Sequence, residues 1–325
     1  MPSPSSGRPA ALTVARVLVY ALPFLIVFQS LAAPPATGPQ LHTLRWKLVA
    51  GERLTIDAVR TRTTTTTGPA GKIERTSEST IDWLITVTNV DAQGVAEFDF
   101  VPQRLRYSEH SPATDVVIDT SKPADAAPAG MDEQIREIAS IILKLQSHNV
   151  MNDRGEVIKS TIDPSTQQII QQSRARMLLE RFLSEQTRRE TLNNLFPAFP
   201  ERAVKTGDSW QGEIVVNDAT VNKQTLRVTY TLRTGTSDSG QRFDEIDSTT
   251  KLDFNPMIRQ LAARGMTVDS VDQDQNGKMR FDASTGRPSV IEINEKMKMA
   301  GESHGAAIVQ EDQSTTKITV SRPDP

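Results

Sequence analysis

The chain has 325 residues, 24% of them charged and 37% hydrophobic, with a formal net charge of −3 and no cysteine. The near-balanced charge excludes the strongly basic surface of a nucleic-acid binder. The lack of cysteine excludes disulfides, thiolate metal sites, a cysteine nucleophile and a lipidated cysteine. The length permits one large or two ordinary domains, with apolar content enough for a core that needs no covalent staples.

At the start, Arg8 and Arg16 precede an apolar run over residues 17–28, and the small residues Ser30, Ala32 and Ala33 follow. A positive end, a short apolar stretch and a small-residue exit make a secretory signal peptide, so residues 1–32 are expected to be one, cleaved after Ala32. Pro34 and Pro35 crowd that site, which leaves an uncleaved anchor as the alternative and the chain's one expected route to a membrane. No later stretch is long and apolar enough for a transmembrane helix. Export without disulfides fits a bacterial envelope, which gives an extracytoplasmic location: periplasm, cell envelope or secreted.

A Pro- and Ala-rich spacer occupies 33–40. Beyond it Leu44, Trp46 and Leu48 alternate with Arg45 and Lys47, the period-two pattern of a half-buried strand. Leu54, Ile56 and Ala58 continue it inward, and the threonines at 63–67 extend it as a polar strand end, because a branched β-carbon favours extended backbone. A glycosylated stalk is the other reading of that tract. Ile81, Trp83, Ile85 and Val87, with Ala96, Phe98 and Phe100 on the return, form an antiparallel hairpin turning at 91–94. Alternation of this kind marks sheets with one solvated face and excludes parallel α/β folds.

Met131, Ile135, Ile138, Ile142 and Leu145 are spaced four, three, four, three, which predicts an amphipathic helix over 131–147. Asp163 and Pro164 supply an N-cap and a first helical residue for a second helical region over 163–200, with Ala175, Leu178, Leu179 and Phe182 as its apolar side. The arginines of that region are interleaved with Glu180, Glu185 and Glu190, so it reads as a solvated face and not as a basic patch.

The stretch "VKTGDSWQGEIVV" at 204–216 echoes "VAGERLTIDAV" at 49–59: a turn glycine (Gly207, Gly51), an acid, a large apolar residue (Trp210, Leu54), then a strand. The strand–turn–strand segments 85–100 and 228–247, and the Gly turns of 151–160 and 281–293, repeat in the same order. This predicts two β-rich pseudo-repeats, 41–162 and 201–325, joined by the helical connector 163–200. In the second, Leu226, Val228, Tyr230 and Leu232 alternate cleanly; Ile291, Ile293, Met297 and Met299 do so with Glu295 as the one break. A short helix is expected over 256–264 and a last strand over 317–320. The expected fold is α+β, mainly β: curved antiparallel sheets with two or three packed helices. Trp210 and Leu54 are expected in the core.

"GESHG" at 301–305 matches a nucleophile elbow around Ser303, but strand-like sequence follows and no histidine lies beyond His304. "DQDQNG" at 272–277 imitates the start of an EF-hand loop, yet position twelve is Ala283, so Asn276–Gly277 is read as a plain hairpin turn. The histidines 42, 110, 148 and 304 have no ligand spacing. No catalytic, cofactor or metal residue is singled out, and no cofactor or nucleic-acid partner is expected.

On "FPERAVKTGDSW", "MRFDASTGRPSVIEI" and "LRWKLVAGERL" the chain resembles an uncharacterised family of exported bacterial proteins of the kind seen in planctomycetes. The resemblance implies an extracytoplasmic β-rich domain and supplies no catalytic residue. The expectation is a non-enzymatic protein binding an apolar, lipid-like ligand or an envelope protein. The rival is a hydrolase of envelope or extracellular polymers acting through carboxylates.

Overall fold

A computed structural model describes residues 41–112, 114–121, 133–218, 222–236, 242–251, 254–262, 265–303 and 305–323. The signal segment, the spacer, Met131 and His304 lie outside them.

The fold is mainly antiparallel β. Strands β2 (Arg53–Gly68), β3 (Gly71–Val90) and β4 (Ala96–Ser111) form a meander, and β4 carries two short neighbours, β5 (Thr114–Asp119) on one half and β6 (Ser147–Met151) on the other. Helix α1 (Glu133–Leu143) separates those two, and β7 (Val157–Ile162) pairs β6. Helices α2 (Pro164–Gln172), α3 (Arg176–Phe182) and α4 (Glu185–Leu195) follow. A second meander runs β9 (Ser209–Asp218), β10 (Asn222–Thr236), β11 (Arg242–Lys251), helix α5 (Asn255–Ala262), β12 (Met266–Asp282), β13 (Arg287–Ser303), β14 (Ala306–Ser321). A two-residue pair, β1 (Leu41–His42) with β8 (Val204–Lys205), stands apart.

All the other strands belong to one sheet, in the order β7-β6-β4-β3-β2-β14-β13-β12-β11-β10-β9, with β5 beside β4. The sheet curls until its first and last strands, β7 and β9, both pack against α4. Apolar residues of every second position fill the inside: Leu54, Ile56, Ile85, Val87, Phe98, Val228, Leu232, Ile291 and Ile318 share one cluster with Leu192, Leu195 and Phe196 of the α4 end. A second cluster joins Tyr107 and Ile118 to α1, α2 and α3 through Ile138, Ile141, Ile170 and Leu179. On α1 the buried face is Ile138, Ala139 and Ile141, with Ile142 half-buried. Asp163 caps α2 as expected, its carboxylate accepting from the Ser165 N–H at 2.8 Å.

Four expectations need correction. Residues 44–48 are not a strand, although Leu44 and Trp46 are buried. The segment instead crosses the floor between two hairpin tips, where Trp46 N–H donates to Asp153 O (2.7 Å) and Lys47 N–H to Gly286 O (3.0 Å). Gly155 has φ +93° and lies so close beneath the Trp46 ring that an added β-carbon would sit 2.3 Å from Nε1. Asn276 and Gly277 make no turn but lie inside β12, paired with β13 on one side and β11 on the other, because neighbours on both edges hold them extended. The last strand spans all of Ala306–Ser321, long enough to pair with both β13 and β2. Trp210 is half-buried and stacks on Tyr230 at 5.5 Å, because β9 is a terminal strand and one side of its ring meets no further strand.

Candidate functional site: a polar wall and the concavity behind it

The strand register stacks inward residues in layers. One layer, Met279, Ile291, Ile318, Ala58 and Ile81, is apolar, as is the Val320, Ile56 and Trp83 row beneath it. One step up, the row becomes Gly277, Ile293, Thr316, Arg60 and Ser79; the next is Gln275, Glu295, Ser314, Arg62 and Ser77; above it stand Gln273, Met297, Asp312, Thr64 and Arg75. The same five strands, β12, β13, β14, β2 and β3, therefore carry an apolar floor and a polar upper wall.

Burial forces the polar groups of that wall into pairs, since an unpaired charge out of water is costly. Arg60 Nη2 lies 3.3 Å from Glu295 Oε2 and donates to Ser314 Oγ at 3.3 Å. Ser314 donates in turn to Glu295 (3.2 Å), whose other oxygen accepts from Gln273 (3.3 Å). Arg62 meets Asp312 at 2.8 Å, and Gln310 and Thr64 donate to the same carboxylate. On the β3–β4 side, Arg75 Nε is 3.1 Å from Glu109, which accepts from Tyr107 OH at 2.6 Å. Three arginines thus face three carboxylates.

The outward residues of β12, β13, β14 and β2 form a second ladder, behind that wall. Asp272, Lys298, Glu311 and Thr65 make one row; Asp274, Lys296, Gln313 and Thr63 make the next. Twist of the long strands dishes this face into a concavity of about 360 Å³ lined by these residues. Lys298 and Glu311 pair at 2.7 Å, which raises the ammonium's pKa and lowers the carboxyl's.

Elsewhere on the outer surface the β2–β3 register sets Asp57 directly opposite Asp82. Burial raises both carboxyls, and the charge of Asp57 raises Asp82 further, against the pull of Arg104. Arg104 itself is drawn to Asp119, whose carboxyl is held down to about 2, first by the Ser121 hydroxyl and then by Arg104.

The motifs singled out in the sequence are dispersed. Ser303 ends β13 at a strand–turn–strand tip followed by Gly305 and β14, so it has no helix behind it. His42 contacts Asp244 (2.9 Å), His148 lies between Glu97 and Asp99 (3.2 Å each), and His110 is exposed beside Asp115. Among the described residues no group of three or more metal-ligating side chains converges. The polar wall was not anticipated, yet its signal was present: continuing the inward alternation of Leu54, Ile56 and Ala58 gives Arg60 and Arg62, and Glu295 is the residue that interrupted the alternation of the later strand.

A model of the family of unknown function DUF6263 matches residues 93–288, more than half of the chain. The chain belongs to that family. The match runs from the turn before β4 to the start of β13, so it covers the connector helices and β9–β12, and of the wall's strands it takes in β4 and β12. No curated protein matches the sequence. Among solved structures, the chain aligns with the translocator domain of the autotransporter NalP from Neisseria meningitidis, at 7% identity over 82% of this chain and 88% of that one, TM-score 0.19. It aligns likewise with OccK5 (OpdH) of Pseudomonas aeruginosa, at 8% identity over 82% and 98%, TM-score 0.19. The third, a β-barrel-like protein of a domain of unknown function, DUF1849, from Brucella abortus, gives 8% identity over 85% and 100%, TM-score 0.17. At such TM-scores no argument is drawn from these three.

Proposed function

We propose that this DUF6263 member is an exported, non-catalytic binding protein of the bacterial envelope, built from two pseudo-repeats, and that its ligand is polar. The observation that carries the reading is the concavity of about 360 Å³ over β12, β13, β14 and β2. Its volume lies in the range of small-molecule pockets, roughly 300–1,000 Å³. Its strands are pinned from the other side by the Arg60–Glu295 and Arg62–Asp312 pairs, so the outer ladder is held in fixed positions. A lipid-like ligand finds less support: the apolar gap bounded by Trp46, Leu54, Phe98, Met151 and Phe196 leaves no room for even a water molecule.

The pseudo-repeats are supported by backbone detail. Gly51 N–H donates to Val87 O and Val87 N–H to Glu52 O; Gly207 N–H donates to Leu232 O and Leu232 N–H to Asp208 O, each at 2.8–3.0 Å. In both halves a helix, α1 or α5, leads into the strand that opens the Gly155 or Gly286 hairpin, although in the first half the short β5 precedes that helix. Export rests on Arg16, the apolar run 17–28 and Ala32.

The facing carboxylates Asp57 and Asp82 are what would favour a hydrolase. They lie at least six residues along β2 from Thr63, about 20 Å at a strand's rise of ~3.3 Å per residue, so the concavity is not built around them. Mass spectrometry of protein purified gently from its own cells tests the reading. The expected result is a mature chain lacking residues 1–32 with a co-purifying small polar molecule. A full-length cytoplasmic chain, a co-purifying lipid, or turnover of an envelope polymer that stops in Asp57→Asn would contradict it.

A further inference from the structure

We infer that the concavity recognises a small zwitterion of the peptide type, one carrying an ammonium and a carboxylate at opposite ends; this rests on the binding role proposed for the same face. Cations and anions there are not intermixed but stand on separate strands. Asp272 and Asp274 share β12, and Lys296 and Lys298 share β13. Lys298 is engaged by Glu311 on its far side at 2.7 Å. Among the described residues no ion pair within 4 Å joins Lys296, Asp272 or Asp274 to an opposite charge. The concavity thus offers one cation and two anions that are exposed and uncommitted, with the hydroxyls of Thr63 and Thr65 at its far bank.

Spacing narrows the class. Diagonal neighbours on adjacent antiparallel strands are ~7–8 Å apart, which is the offset between Asp272 and Lys296. A dipeptide at ~3.3–3.6 Å per residue spans about 7 Å between its charged ends. Its carboxylate would meet the Lys296 ammonium and its amino terminus the Asp272 carboxylate diagonal to it, with Asp274, directly opposite Lys296, beside the amine's approach. A simple anion would meet Lys296 only beside two repelling carboxylates, and a neutral sugar would leave the charges unanswered.

The test uses dialanine and its N-acetyl and C-amide forms, titrated against the full chain by nuclear magnetic resonance. The expected result is saturable binding of dialanine with shifts clustered at Asp272, Asp274 and Lys296. Blocking either end should weaken it at least tenfold. Lys296→Met should abolish the preference for a free carboxylate, and Asp272→Asn together with Asp274→Asn the preference for a free amine, both at unchanged melting temperature. Absence of dialanine binding, equal binding of the blocked forms, or shifts elsewhere on the molecule would overturn the inference. The broader binding role would fall separately, only if gentle purification also yields no polar molecule whose retention depends on this face.

Discussion

The curled sheet has two places where its N-terminal and C-terminal strands meet, and they are joined in different ways. At one, β14 lies between β13 and β2, pairing with β2 from Thr55–Ser321 to Thr67–Val309 without a register shift. At the other, β7 and β9 do not pair; α4 fills the gap. Asn193 Oδ1 accepts from Val157 N–H (2.6 Å), and Asn194 donates to Val215 O (2.8 Å) while accepting from its N–H (3.3 Å). Arg188 adds bonds to the Ser160 carbonyl (2.6 Å) and hydroxyl (3.1 Å). Two adjacent side-chain amides thus stand in for a backbone ladder, each satisfying the exposed edge of a different strand. A ladder distributes its bonds over the whole strand. The helix concentrates them at a few side chains and leaves that junction as the place where the molecule opens at least cost.

Four substitutions sharpen this comparison. The largest effect is expected at the ladder, where Ile318 is 2% exposed and sits in the apolar floor: Ile318→Ala should cost about 2–5 kcal/mol in denaturant unfolding. Next comes Asn193→Ala, which leaves a backbone N–H of β7 without its partner and should cost about 1–3 kcal/mol. A loss as large as that of Ile318→Ala would show that the helix junction is no weaker than the ladder. Trp210→Ala, on the terminal strand β9, should fall below the ~3–5 kcal/mol of a fully buried tryptophan, because the ring is only half-buried.

The smallest effect concerns Asp57 and Asp82 on β2 and β3, away from either junction. Their folded pKa values are raised, so the folded state holds these protons more tightly than the unfolded chain does. Stability from this source is fully present below the unfolded carboxyl pKa and is lost as pH rises through the raised folded values. Asp82→Asn should therefore stabilise the protein at neutral pH, with the gap to wild type closing in acid. Destabilisation by Asp82→Asn at neutral pH would mean instead that the carboxylate is held by a partner and not merely crowded.

Much of the fold was legible because one physical signal, period-two alternation, is strong wherever one face is buried. It located Leu54, Ile56, Trp83, Ile85, Phe98, Val228 and Leu232, and the Gly51 and Gly207 turns that lead into their strands. It failed where the pattern had no local cause. Residues 44–48 alternate like a strand because they lie between two hairpins distant in sequence, and Asn276–Gly277 reads as a turn until partners on both edges hold it straight. The polar wall was hidden for a related reason: arginines at 60 and 62 look like a solvated strand end unless Glu295 and Asp312, more than two hundred residues away, are known to face them. The role of α4 was the least legible, since nothing local in "LNNLF" says that its asparagines meet two different strand edges.

Amide hydrogen exchange on the Asn193→Ala, Asn194→Ala double variant tests the contrast between the junctions most directly. If the helix substitutes for a ladder, exchange should quicken at Val157 and Val215 and along β7 and β9, while the β2–β14 amides between Thr55 and Thr67 keep their wild-type protection. Equal acceleration at both junctions, or no change at Val157 and Val215, would contradict it.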